Sequence, residues 1–310
     1  MRLSRQHWLG LYLRGVAMGA ADLVPGVSGG TIALITGIYD RFIAAIASVG
    51  IDALRMVFSG KIKSAWAHVD GNFLLAVGGG ILSSVAVLAS LLNWLILNYP
   101  LPLWSLFCGL ILASAIHLFY ESRLDWTARD YALWLVGIGV ALIVGLMQAT
   151  QLPVSQVSIF LAGTIAISAM LLPGISGSFL LLILGMYQPV ITALVNLDLI
   201  ILGVFALGCI SGLLVFSRVL KVLLARAQRA TMAILYGFLL GSVIMLWPWQ
   251  RPIAVMVDRH GENRVVQSVP VLPQTYMESV GEPMLLLCLF VFALGVCVVA
   301  LLLSRGSAEH

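Results

Sequence analysis

Apolar residues run along this chain in long stretches with few charges inside them. Six stretches are long and apolar enough to cross a bilayer as helix, which takes about 20 residues. They lie at 72–97, 103–120, 131–149, 199–217, 230–248 and 283–303. Two others, 8–46 and 156–196, are broken near the middle by the same turn: Pro25-Gly26-Val27-Ser28-Gly29 and Pro173-Gly174-Ile175-Ser176-Gly177. In the first, the uninterrupted apolar run after the break is Thr31 to Tyr39, and Asp40-Arg41 follow at once. Each arm is therefore too short to cross. The pattern predicts two half-length helices meeting at a Gly-rich turn, a re-entrant hairpin that enters and leaves on one side. Irregular backbone at membrane depth is tolerated only when buried in protein or lining a polar cavity.

The chain repeats itself. Shifted by 148 residues, 15–42 matches 163–190 at 11 of 28 positions, including Gly15/Gly163, Leu23/Leu171, Pro25/Pro173, Ser28/Ser176, Gly29/Gly177, Gly37/Gly185 and Tyr39/Tyr187. A weaker match continues at a shift of 128, through Gly80/Gly208, Ser83/Ser211, Gly109/Gly237 and Ser114/Ser242. The two shifts differ by 20, which places an insert of that length around 50–70, read as a short amphipathic surface segment carrying Arg55, Lys61 and Lys63. The expected fold is an all-α polytopic membrane protein of two repeats, 1–150 and 151–310, each a re-entrant hairpin plus three transmembrane helices. Three crossings per half make the second copy inverted, the plan of many secondary transporters.

Composition and charge fit this reading. Hydrophobic residues make up 61% of the chain and charged residues only 10%, against about 25% charged in soluble domains. Too little polar surface exists to cover a water-soluble globule. With both hairpins non-crossing and the N-terminus cytoplasmic, 14 of the 17 Lys and Arg fall in cytoplasmic segments, as the positive-inside rule requires. Both termini are then cytoplasmic, and 249–282 is the one long outside loop. The net charge of +4 is spread over such clusters and gives no nucleic-acid footprint. The N-terminal stretch lacks the pattern of a cleaved signal, since Arg14 interrupts it. Cys108, Cys209, Cys288 and Cys297 all lie inside apolar runs and read as small apolar fillers, without metal-ligand spacing. Trp and Tyr at span ends, among them Trp94, Tyr99, Trp247 and Trp249, read as interfacial belts.

The broken segments carry the chemistry. Pro ends the incoming helix, and Gly allows positive φ and close backbone approach. Ser28-Gly29-Gly30-Thr31 and Ser176-Gly177-Ser178 then open the outgoing helices. Free N–H groups at a helix start suit an anion, and hydroxyls there add donors or cap the helix. Two such starts facing each other would cradle a phosphate or carboxylate. The bland alternative is a pair of capped kinks that pack helices closely. Asp22, three residues before Pro25, is a carboxylate at hairpin depth and a candidate proton or sodium coupling site; its counterpart is Met170. Arg14 shares its helix face and is a candidate phosphate ligand or ion-pair partner. His117 is a weaker candidate proton relay, and Asp40 and Arg41 are read as marking the end of the outgoing arm. No cofactor or metal is expected.

Extended over Gly19-Ala20-Ala21-Asp22-Leu23-Val24-Pro25-Gly26-Val27-Ser28-Gly29-Gly30-Thr31, Gly37-Ile38-Tyr39-Asp40 and Leu172-Pro173-Gly174-Ile175-Ser176-Gly177-Ser178, the motifs resemble a bacterial inner-membrane family linked to undecaprenyl-phosphate translocation. The resemblance covers nearly the whole chain. It implies a flippase that returns the polyprenyl-phosphate carrier from the outer to the cytoplasmic leaflet for reuse in peptidoglycan and other envelope polymers. The partners it implies are polyprenyl phosphate and membrane lipids, and a homo-oligomer is compatible with it. Two other classes stay open. A transporter of a small soluble anion would use the same cradle. An undecaprenyl-pyrophosphate phosphatase carries a similar hairpin with PG-x-S-R-S at its tip, but here Gly29 and Gly177 stand where that enzyme has its arginine.

Overall fold

A computed structural model describes residues 5–23, 28–147, 152–257 and 263–306. The elements in chain order are α1 (Arg5–Asp22), α2 (Gly29–Ile35), α3 (Tyr39–Ser48), α4 (Ile51–Phe58), α5 (Ile62–His68), α6 (Gly71–Asn98), α7 (Pro100–Ser122) and α8 (Ala128–Leu146). There follow α9 (Gln156–Leu171), α10 (Gly177–Ile183), α11 (Tyr187–Val195), α12 (Leu199–Gly241), the strands β1 (Gln250–Val257) and β2 (Asn263–Pro270), α13 (Pro273–Ser279) and α14 (Leu285–Gly306). Gly71–Leu88, Pro100–Ser122, Ala128–Leu146 and Leu199–Leu246 are long and apolar enough to cross a membrane. The pair α10 and α11, bent by 109°, passes the same test taken together. The protein is an all-α polytopic membrane protein, with one β-hairpin in a connecting segment.

Residues 1–91 and 151–232 form one compact unit. The first broken segment has three helices rather than two arms. Gly37, at φ +69°, stops α2 after two turns, and α3 restarts at Tyr39. Gly185, also at φ +69°, separates α10 from α11 in the same way. Asp40 and Arg41 accordingly open α3 instead of closing the preceding arm. The Pro25-Gly26-Val27 turn lies outside the described residues. In the second segment the break is Gly174, at φ +82°.

Glycines set the helix crossings of this unit. A Cβ on Gly15 would collide with the Val77 carbonyl, and one on Gly80 with the Tyr12 carbonyl, so α1 and α6 touch backbone to backbone. On Gly163 it would lie 2.6 Å from the Phe205 oxygen, and on Gly208 it would collide with the Phe160 carbonyl. All four positions of the α1/α6 crossing correspond to those of the α9/α12 crossing at the shifts of 148 and 128. Without a hydrophobic drive in lipid, such small-residue contacts are what lets helices pack.

Residues 92–150 and 233–310 form the second unit. Here α7 crosses α14 through Gly109 against Phe292 and Gly295 against Leu106. The C-terminal part of α12 crosses α8 through Gly237 against Trp134 and Gly137 against Ile234. These contacts again correspond, with α8 and α14 at a new shift of 158. The stretches expected at 199–217 and 230–248 are the two helical parts of α12, which meet at a kink at Ala227 (φ −144°, ψ 47°); Arg218, Lys221 and Arg226 ride on the extension of the first part. The loop expected at 249–282 holds the antiparallel β1–β2 hairpin and α13. Trp249 is not a belt residue. It is buried with Leu101 and Cys288, and its indole N–H donates to the Pro283 carbonyl at 2.8 Å. Buried indoles need such a partner. The four cysteines are free thiols.

Candidate functional site

The two breaks start their outgoing helices differently. At α2 the donors are already satisfied. Gly29 N–H donates to Asp22 Oδ1 at 2.7 Å, Gly30 N–H to the Ser28 hydroxyl at 3.1 Å, and Thr31 N–H to the Ser28 carbonyl at 2.9 Å. Asp22 thus sits as a resident anion on the first turn of α2, in a charge-assisted bond worth about 1.5–3 kcal/mol. A Cβ on Gly29 would lie 2.5 Å from Asp22 Oδ2, so only glycine lets the carboxylate approach this closely.

At α10 the matching place is held by Met170, whose Cγ would lie 2.7 Å from a Cβ on Gly177. A thioether accepts hydrogen bonds only weakly. Ser176 makes no side-chain cap bond; its hydroxyl pairs with that of Ser178 at 2.8 Å. Among the described residues the backbone N–H groups of Gly177 and Ser178 have no partner. Asp22, Met170, Ser176, Gly177 and Ser178 line one cavity of about 80 Å³. That is room for a group larger than a single water, and the lining residues carry N–H and O–H donors and one carboxylate. Both seven-residue helices are short, so the local donors rather than a long macrodipole set the chemistry.

A set of hydrogen bonds joins the first broken segment to the second. The Ser28 hydroxyl donates to the Met170 carbonyl at 2.9 Å, and the Tyr39 hydroxyl to the Leu171 carbonyl at 2.8 Å. Gly174 N–H donates to the Thr31 hydroxyl at 2.8 Å. Ser28 and Thr31 are fully buried and Tyr39 is 2% exposed. The carbonyls of Met170 and Leu171 end α9, where helix geometry leaves them without intrahelical donors. Of the two hydroxyls expected to face an anion in the first motif, that of Ser28 therefore closes the end of α9, and that of Thr31 accepts from the turn that follows it.

Residues 18–264 match the VCA0040-like family, described as undecaprenyl phosphate translocase-like. The chain belongs to the undecaprenyl phosphate translocase-like family. It is 42% identical over 258 residues, 83% of each chain, to a polyprenyl-phosphate transporter of Vibrio cholerae serotype O1. It is 34% identical over 263 residues to a polyprenyl-phosphate transporter of Staphylococcus aureus, covering 79% of this chain and 88% of the relative. No solved structure gives a significant match.

Other residues singled out from the sequence of this translocase-like chain are placed as follows. Arg14 is half-buried on α1, two turns before Asp22 with Met18 between them, and no ion pair joins Arg14 to Asp22 among the described residues. Arg41 is held elsewhere: its Nε and a terminal nitrogen donate to both Asp70 carboxylate oxygens at 2.7 and 3.1 Å, over the Phe73 ring. The Asp40 carboxylate accepts from the Gln228 amide at 3.2 Å. His117 belongs to the second unit, where its Nε2 lies 3.4 Å from Glu121 one turn on. Among the described residues no group of three His, Cys, Asp or Glu could hold a metal ion. Tyr39 was readable as a repeated Gly-x-Tyr with Tyr187, but nothing in the sequence gave its partner.

Proposed function

We propose that this protein carries a polyprenyl phosphate across the bacterial inner membrane, from the outer to the cytoplasmic leaflet, for reuse in envelope polymer synthesis. The observation that carries the reading is the cavity lined by Asp22, Met170, Ser176, Gly177 and Ser178. The phosphate head is bound there by the N–H groups of Gly177 and Ser178 and the hydroxyls of Ser176 and Ser178, while the lipid tail stays in the bilayer. The transporter names of the two relatives support the substrate class. The repeats are inverted in this reading, both termini are cytoplasmic, and alternating access exposes the cavity to each side in turn.

Asp22 makes the site unequal. Ionised, it faces the bound phosphate with like charge; neutralised by a proton or accompanied by sodium, it does not. It is the coupling site in this reading. The phosphatase alternative is the weaker reading, because among the described residues no basic side chain lines the cavity to stabilise phosphoryl transfer.

Liposomes holding the purified protein and polyprenyl phosphate test the proposal, with head-group exposure followed by an enzyme added outside. The protein should speed equilibration between leaflets, and Ser176→Ala with Ser178→Ala should slow it. No acceleration, with uptake of a soluble phosphate or carboxylate instead, would sink the lipid reading. Inorganic phosphate released from polyprenyl pyrophosphate would establish an enzyme.

A further inference from the structure

Three hydrogen bonds join the first broken segment to the second through the side chains of Ser28, Thr31 and Tyr39. Among the described residues, no side chain of the second segment makes the matching bond to the first. The Ser176 hydroxyl pairs with Ser178, position 179 is a phenylalanine where the first segment has Thr31, and Tyr187 has no hydrogen-bond partner among the described residues. Yet Tyr187 is placed to mirror Tyr39. Each tyrosine follows by two residues a glycine at φ +69° and opens the next helix, α3 or α11. Tyr187 instead rests, partly buried, against the cluster of Ile159, Ala162, Ala166, Leu181 and Met186 in its own half.

We infer that Tyr39 and Tyr187 are a pair of exchanging latches that position the two hairpin tips during transport. In the state described, Tyr39 holds the Leu171 carbonyl at the end of α9. In the opposite state Tyr39 lets go and Tyr187 holds the corresponding carbonyl, that of Leu23 at the end of α1. This rests on the inverted-repeat, alternating-access reading above. If two inverted halves exchange conformations, a contact made by one half becomes the matching contact of the other. One O–H···O=C bond breaks and one forms, so the exchange conserves hydrogen bonds and neither state is strongly trapped. Ser28 and Ser176 can trade in the same way. Thr31 cannot, because Phe179 has no hydroxyl. The Gly174–Thr31 bond therefore biases the pair toward the state seen here.

The test reads conformation without any lipid substrate, so it fails independently of the substrate assignment. A Ser178→Cys reporter in a background lacking the four native cysteines is labelled with an impermeant thiol reagent from each side of the membrane. The ratio of the two labelling rates reports which side the cavity faces. Tyr39→Phe should shift that ratio about fivefold, the worth of one neutral hydrogen bond. Tyr187→Phe should shift it about as far the other way, and the double variant should return near the parent ratio. Thr31→Val keeps the shape but removes the hydroxyl that has no counterpart at Phe179. It should shift the ratio in the same direction as Tyr39→Phe, which keeps a test in hand if Tyr39→Phe folds poorly. Shifts of the same sign for the two tyrosines, or no shift with Tyr187→Phe, or opposite signs for Thr31→Val and Tyr39→Phe, would overturn the proposal.

Discussion

Asp22 and Met170 occupy matching places over matching glycines, one a carboxylate bonded to Gly29 N–H at 2.7 Å, the other a thioether packed on Gly177. One side chain therefore decides that the first outgoing helix has an anion of its own and the second does not.

Asp22→Asn keeps the shape but replaces a charged acceptor by a neutral one. Thermal unfolding in detergent should show a loss of about 1–2 kcal/mol, the difference between a charge-assisted and an ordinary bond. Transport measured across the pH range should lose its pH dependence, or its sodium dependence if sodium is the coupling ion. A variant that is less stable but keeps both dependences would leave Asp22 a cap and nothing more.

Ser178→Ala and Ser176→Ala each remove a donor from the cavity wall. Hydrogen bonds to a charged group are worth about 1.5–3 kcal/mol, so each change should weaken polyprenyl-phosphate binding about 10- to 100-fold. Ser28→Ala should behave differently. Its hydroxyl already bonds the Met170 carbonyl and Gly30 N–H, so stability should fall while the affinity of the folded protein changes little. Equilibrium binding and unfolding measured on all three variants separate the two outcomes.

Gly29→Ala and Gly177→Ala meet different obstacles. A Cβ at Gly29 presses on the Asp22 carboxylate, which can swing away at the loss of its cap bond; at Gly177 it lies 2.6 Å from the Ala166 carbonyl, which is backbone and cannot. Gly177→Ala should therefore destabilise more. The effect of Gly29→Ala should largely vanish when combined with Asp22→Ala, which removes the carboxylate the new methyl would press on, a coupling that a double-mutant cycle reads directly.

Glycines at the crossings and glycines beside them should part company. Gly80→Ala drives a methyl into the Tyr12 carbonyl, whereas Gly79 has nothing within 4 Å. Gly79→Ala should be neutral or stabilising by up to about 1 kcal/mol, the helix propensity difference. Gly80→Ala should lower the unfolding temperature sharply. Similar unfolding temperatures for the two variants would contradict the backbone contact.

The sequence showed the broken segments, the apolar helices expected at 72–97, 103–120 and 131–149, and two of the three shifts, the shifts because glycine, proline and serine at a turn cannot be exchanged freely. It hid the third shift. At 158, α8 and α14 share Gly137/Gly295 but almost nothing else, since residues that face lipid need only be apolar. The bonds of Ser28, Thr31 and Tyr39 were hidden for another reason. Their partners lie more than 130 residues away, and a hydroxyl beside a helix start reads equally well as a cap, an anion donor or a tie to a distant carbonyl. Trp249 was misread because a buried indole and an interfacial one look alike until its Pro283 partner is known. The β1–β2 hairpin escaped because Pro252 and the mixed charge of its loop masked the alternation of Val255 and Val257.

The glycine crossings have a mechanical consequence. Ordinary helix packing seats ridges in grooves, and sliding one helix past another means lifting side chains over each other. A contact of glycine against carbonyl has no such teeth. At each of the four crossings the glycine itself therefore presents no side chain that must be lifted for its helix to turn against the partner's backbone.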